Sequence, residues 1–340
     1  MNIQPTICII AVYFGKLSNY FSLWLKSCQF NPTIDFLLVT DQIPLIQLPS
    51  NVKVLPYTLT QMRQRASEVL GFPAALARPY KCCDYKPMYG VLFAEHLKQY
   101  DYWGHCDMDL IFGNIRAFTD KYQLYKYDKF LPLGHLSLFR NTSEVNHLFQ
   151  LGGAVYRNIP VDYKTVYTND QNYIFDEEEG ILQIFKKNNR PIFTKRLFAD
   201  IISHFYRYKL ATKKLEGQPL PINYKHQVFY WENGHVMRAY LQKGKIQTEE
   251  FIYIHFQKQP NFTILFSAQK TNAFYLTAKG FVPKQTAIIK QTFKQYNNFS
   301  VSKEIIDSLR RGVKRKGYFM PSAFRKALKK HFTRTLRKNK

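Results

Sequence analysis

Two uninterrupted apolar runs with an amphipathic stretch between them constrain this chain more than any other feature. "TICIIAVYFG" (6–15) and "TIDFLLVTD" (33–41) each read as a strand buried on both faces and ending in a loop. Between them, "SNYFSLWLKSCQFN" (18–31) spaces Tyr20, Phe21, Trp24, Leu25 and Cys28 at helical intervals, with Ser18 placed to cap the helix. Strand, crossing helix and strand make a β-α-β unit, and its right-handed crossover leaves the two strands parallel neighbours. "NVKVLPY" (51–57) adds a third short strand. The expected class is α/β.

The pattern continues with two helices. "TLTQMRQRASEVLG" (58–71) closes on Gly71, and "RPYKCCDYKPMYGVLFAEHLKQY" (78–100) is amphipathic, with Pro87 marking a start. Then "DYWGHCDMDLIFGN" (101–114) reads as one buried strand carrying His105, Asp107 and Asp109. Side chains alternate along a strand, so these three share a face, with the two carboxylates about 6–7 Å apart at Cα. Unpaired burial of both is costly. Convergence on one divalent cation, Mn²⁺ or Mg²⁺, relieves that cost and creates a clamp for a diphosphate. Polar residues at a strand end mark the ligand-binding edge of an open sheet. Residues 1–115 are therefore expected to form a nucleotide-binding half.

The second half is less regular. Strands are expected in "FLPLGHLSLFRN" (130–141), "PIFTKRLFADI" (191–201), "HQVFYWENGHVMRAYL" (226–241) and "EFIYIHFQKQ" (250–259). Helices are expected in "TSEVNHLFQLGG" (142–153), capped by Thr142, and "DEEEGILQIFKKNN" (176–189), with acids in its first turn. A boundary falls between residues 262 and 300. The expected division is a catalytic domain over 1–262 (halves 1–115 and 116–262), a connector over 263–300 and a basic helical tail over 301–340.

Charge sets the partners. The net charge is +25, and Lys303 to Lys340 alone contribute fourteen Lys or Arg against two acids. In the tail, Phe324, Leu328, Phe332 and Leu336 recur every fourth residue with basic flanks, a pattern suited to an anionic membrane surface. RNA-binding signatures are lacking, and no nucleic-acid partner is expected. The five cysteines show no framework spacing and no CxxC pair, which predicts reduced thiols and a cytoplasmic protein, at most peripheral on the inner face of the membrane. The N-terminal apolar run is too short for a signal peptide or span.

Several runs in order resemble bacterial capsular and surface-polysaccharide (lipopolysaccharide-type) glycosyltransferases of the GT-A fold. They are "VYFGKLSNYFSLWLKSCQFNPTIDFLLVTD", "RPYKCCDYKPMYG", "DYWGHCDMDLIFGNIR", "LPLGHLSLFRNT", "FDEEEGI" and "IHFQK", over about residues 6–260. The resemblance implies a GT-A catalytic domain that uses Mn²⁺ and moves a hexose from a UDP-sugar to a saccharide or lipid-linked acceptor. It implies that Asp107 and Asp109 form the D-x-D motif, that His255 completes the metal shell as in glycogenin-like enzymes, and that Lys258 neutralises the diphosphate. It places the base and ribose pocket at Tyr13, Phe14 and Gly15, with Thr40 and Asp41 ending the second strand beside it. Asp84 and Lys86 would face donor sugar and diphosphate. Gly134, His135, Asp176 and Glu177 are acceptor-side candidates, and Asp176 or Glu177 is the expected base if the enzyme inverts. Two other readings compete: a Mg²⁺-dependent nucleotidyl or phosphoryl transferase, which lacks a Gly-rich phosphate loop, and a basic nucleic-acid-binding protein.

Overall fold

The two apolar runs become adjacent parallel strands. β1 (Ile7–Tyr13) and β2 (Asp35–Thr40) pair from Cys8 opposite Asp35 to Tyr13 opposite Thr40, with the helix Phe21–Gln29 crossing between them. Ser18 does not cap that helix by its side chain; its carbonyl accepts the Phe21 amide instead. The computed structural model describes residues 4–202, 205–256 and 262–306. β3 (Val52–Pro56) joins β2 in parallel, and β4 (Tyr102–Cys106) joins β1 in parallel on the other side. Alternate residues of β1 feed two separate cores: Ile7, Ile9 and Ala11 face the Phe21–Gln29 helix, whereas Cys8 and Ile10 face the segment 82–97.

The long buried strand expected over 101–114 is interrupted. β4 ends at Cys106, and β5 (Leu110–Phe112) belongs to a different sheet. His105 therefore does not share a face with the two aspartates. It lies wholly buried between Tyr89 and Phe139. The expected strand over 130–141 is interrupted too, into β6 (Lys129–Phe130) and β7 (Leu136–Arg140), antiparallel to one another. β7 pairs antiparallel with β4. A small hairpin follows, β8 (Val155–Tyr156) and β9 (Ile159–Pro160). β10 (Ile192–Phe193) closes the mixed seven-stranded sheet in the order β10-β6-β7-β4-β1-β2-β3.

The second sheet is small and decisive for the site. β11 (Ala199–Ile201) comes next in the chain, then β12 (Gln227–Glu232), β13 (His235–Gln242), β14 (Lys245–Phe251) and β15 (Tyr253–Phe256). β11, β15 and β5 form a three-stranded sheet, with Asp200 in register with His255 and His255 with Leu110. The segment expected as a connector over 263–300 carries β16 (Ala273–Thr277), β17 (Gly280–Pro283) and the helix Lys290–Tyr296. Its strands complete the antiparallel sheet β14-β13-β12-β16-β17, and Phe293 packs on Val228 and Tyr230. Of the tail expected over 301–340, residues 307–340 lie outside the described residues.

Three helices differ from expectation. That expected over 142–153 is a short helix, Ser143–Asn146, followed by a 3₁₀ turn, Leu148–Gln150. Residues 79–97 form a chain of short α and 3₁₀ turns, Pro79–Lys81, Cys82–Tyr85, Lys86–Met88, Tyr89–Leu92 and Ala94–Leu97. Pro87 opens one of these turns without starting the helical run. The acids 176–179 precede their helix, which spans Ile181–Lys187. The helix Leu59–Leu70 matches expectation: Thr58 and Gln61 make a reciprocal capping box, and Gly71 takes φ +74° at its end.

Candidate active site

The site begins where β4 runs out. Asp107, Met108 and Asp109 carry the chain from the seven-stranded sheet to the three-stranded one. At one end the Asp107 amide donates to the His135 carbonyl (2.8 Å). At the other, the Asp109 carbonyl accepts the Phe256 amide (3.0 Å). The backbone is thus fixed on both sides, while the two carboxylates keep some exposure to solvent.

Register in the small sheet supplies the third group. His255 lies beside Leu110 across β5 and β15, which brings its Nε2 within 3.4 Å of Asp109 Oδ1. Its Nδ1–H donates to Asp200 Oδ1 (2.9 Å). A carboxylate behind an imidazole fixes the ring and its tautomer, the arrangement found behind metal-binding histidines. One ligand atom each from Asp107, Asp109 and His255 lies within 4.8 Å of the others. Opposite ligands of an octahedral ion stand about 4.2 Å apart, so small side-chain rotations close this set on one cation. Two carboxylates and a neutral imidazole suit Mn²⁺. His135, Asp200 and His255 form an overlapping group, but all three are buried and His255 Nδ1 is already spent on Asp200. Burial would lower the His255 pKa, but hydrogen bonds to Asp109 and Asp200 outweigh it and lift the value to about 10, so a cation would take the place of the Nε2 proton.

Lys86 ties the other side together. Its buried ammonium donates to Asp107 Oδ1 (2.6 Å), Asp176 Oδ2 (2.8 Å) and the Gly134 carbonyl (2.9 Å). Burial opposes its charge, but the two carboxylates prevail and hold its pKa well above the usual lysine value. Burial also raises both partners, Asp176 to about 7, and Lys86 opposes the rise in each. Gly134 admits the acids: a Cβ there would lie 2.3 Å from Asp176 Oδ2 and 3.2 Å from Glu177 Oε1. Glu177 is engaged by Lys213 (3.3 Å), which also holds Glu178 (3.1 Å). His135 stacks on His255 with ring centroids 4.0 Å apart and bonds Tyr253 Oη (3.2 Å); burial first, then His255, pushes its pKa well down.

The remaining expected residues divide. Gly15, at φ +99°, donates its amide to Asp41 Oδ1 (2.9 Å), joining the carboxyl ends of β1 and β2 and lowering the Asp41 pKa. Tyr13 stays at that edge, its hydroxyl donating to the Lys16 carbonyl (3.2 Å). Phe14 instead turns into the core. Thr40 is buried and its hydroxyl accepts the Gln42 amide.

Asp84 does not face the site. It is fully buried, paired with Lys81 (2.8 Å), and accepts the amides of Tyr173 and Phe175 (2.9 Å each). It acts on the site only through the turn that delivers Asp176. Lys258 lies outside the described residues. Sequence reasoning missed Asp200, although one acid inside the apolar run "LFADI" is the same signal that drew attention to Asp107 and Asp109. It also missed Lys81, whose burial nothing local announces.

Residues 9–285 match the model of DUF6625, described as a family of unknown function. No curated protein matches the chain. Similar solved structures include an active-site mutant of LgtC and the galactosyltransferase LgtC in complex with donor and acceptor sugar analogs. Each is 10% identical over 57% of this chain and 75% of that chain, with TM-scores of 0.32 and 0.30. The apo form of mouse xyloside xylosyltransferase 1 is 10% identical over 56% of this chain and 86% of that chain, with a TM-score of 0.33.

Proposed function

The chain belongs to the DUF6625 family of unknown function, and we propose that it is a metal-dependent glycosyltransferase of the GT-A type. In this reading it moves a sugar from a UDP-sugar to a bacterial surface glycan or lipid-linked acceptor. The observation that carries the proposal is the Asp107, Asp109 and His255 cluster with Asp200 behind it, set at the carboxyl end of a parallel strand. Open α/β sheets bind nucleotides at that edge.

Asp107, Asp109 and His255 would hold the cation. When bound, a divalent cation supplies the charge that a departing diphosphate needs. Lys86 keeps Asp107 aimed and ionised and links it to Asp176. Asp176 is the proton acceptor for the acceptor hydroxyl: its carboxyl titrates at about 7, close to a working pH. Glu177, beside it on the same turn and held by Lys213, is the alternative base. Tyr13, Gly15 and Asp41 form the edge where base and ribose lie. Lys258 and the basic residues 303–340 are assigned to the diphosphate and to an anionic membrane surface on the strength of the sequence.

Calorimetry of UDP with and without Mn²⁺ tests the reading. Wild type is expected to bind UDP only with Mn²⁺, and Asp109→Asn to lose that dependence. UDP binding of equal strength without metal, or none at all, overturns the proposal.

A further inference from the structure

A cleft of about 310 Å³ lies between the helix Ile115–Lys121, the turn before β11 and the end of β14. Lys121, Lys195 and Arg196 line it around Tyr122. The two ammonium groups approach the same tyrosine ring, at 5.5 and 5.2 Å from its centroid. Among the described residues no carboxylate pairs with any of the three cations. The acids of the cleft are taken elsewhere: Glu249 holds Arg238 and Glu250 holds His235. Arg196 donates through Nη2 to the Lys213 carbonyl (2.5 Å), yet its Nε is buried without a partner among the described residues. Burial lowers its pKa, and the carboxylates of Asp200 and Glu178 offset that only in part.

Two ammonium groups on one ring, with the Arg196 guanidinium over Phe198 lining the same cleft, repel each other unless an anion stands between them. Arg196 lines the cleft and keeps an Nε without a partner among the described residues, and a guanidinium suits the oxygens of a phosphate. The volume sits at the lower end of the range for small-molecule sites. We propose that this cleft binds the phosphate group of a small molecule of about monosaccharide size, through Lys121, Lys195 and Arg196. The inference does not rest on the glycosyltransferase reading, because Lys121 and Lys195 make no contact with Asp107, Asp109, His255 or Asp200 among the described residues.

The test is calorimetry of the full chain with inorganic phosphate and with glucose 6-phosphate, and cosedimentation with vesicles containing phosphatidic acid. Each is repeated on the Lys121→Ala/Lys195→Ala double variant and on Arg196→Lys. Both lysines are exposed, so the double variant keeps its fold. Saturable phosphate binding by wild type, weakened at least about tenfold in the double variant and clearly in Arg196→Lys, supports the proposal. Loss confined to glucose 6-phosphate identifies a soluble phosphoester, and loss that extends to vesicles identifies a lipid headgroup. Absence of saturable phosphate binding, or equal affinity in wild type and double variant, overturns it. UDP calorimetry with Mn²⁺ on the double variant is expected to be unchanged, so the two proposals fail separately.

Discussion

At the residue scale, Lys86 and Asp200 do the most with the least exposure. Lys86 neutralises the buried Asp176 and the partly exposed Asp107, carboxylates that come from distant parts of the chain. Replacing it with Met strands the buried Asp176 charge, and breaking a buried pair costs about 3–5 kcal/mol. Urea unfolding at pH 7 is expected to show Lys86→Met destabilised by that order, whether or not metal is present. Asp200 touches the candidate cation only through His255. On the proposed function, Asp200→Asn keeps the fold and weakens Mn²⁺ affinity by about 10–100-fold, the usual cost of losing a carboxylate behind a metal-binding histidine. Asp109→Asn, which alters a direct ligand, is expected to weaken it more. Mn²⁺ titration followed by electron paramagnetic resonance separates the two, and equal affinity in wild type and Asp200→Asn removes the positioning role.

At the scale of elements, the turn before Asp176 stores strain. Ile174 takes φ +56°, a conformation that β-branched residues rarely adopt, and its side chain is 55% exposed. Asp84 holds the amides on both sides of it, and Lys81 stabilises Asp84 while donating to the Val166 and Gln171 carbonyls. Asparagine tolerates this backbone better, so Ile174→Asn is expected to stabilise the protein by about 1 kcal/mol in urea unfolding; a loss of stability counts against strain at this position. Local sequence showed β1, β2, β3 and the Leu59–Leu70 helix because period, caps and breakers all agree there. It did not show that 101–114 crosses between sheets, since alternation reads the same on either side of a break. Nor did it show Asp200, whose role depends on β11 pairing with β15 across 55 residues. The candidate site was thus half legible: its ligands lie in conspicuous patterns, and their supports are set by strand register.

Across the whole molecule, one buried amine links stability to pH. Lys129 is fully buried in β6, where its ammonium donates to the Leu131 carbonyl and the Ser137 hydroxyl, and burial lowers its pKa from the usual 10.5 to about 7. The unfolded chain therefore binds this proton more tightly than the folded one between pH 7 and about 10.5. This lysine's contribution is least favourable below pH 7 and improves as pH rises through that window. Lys129→Met is expected to gain more stability at pH 7 than at pH 10, read from urea midpoints at the two values; an equal gain at both means the amine is charged in the folded state throughout. The path of residues 107–109 has a mechanical meaning as well. Because these three residues bridge two sheets while His255 sits on the smaller one, a cation held there acts as a rivet through a seam. Loading the site would slow amide exchange in β5, β11 and β15 while leaving the far edge at β3 untouched.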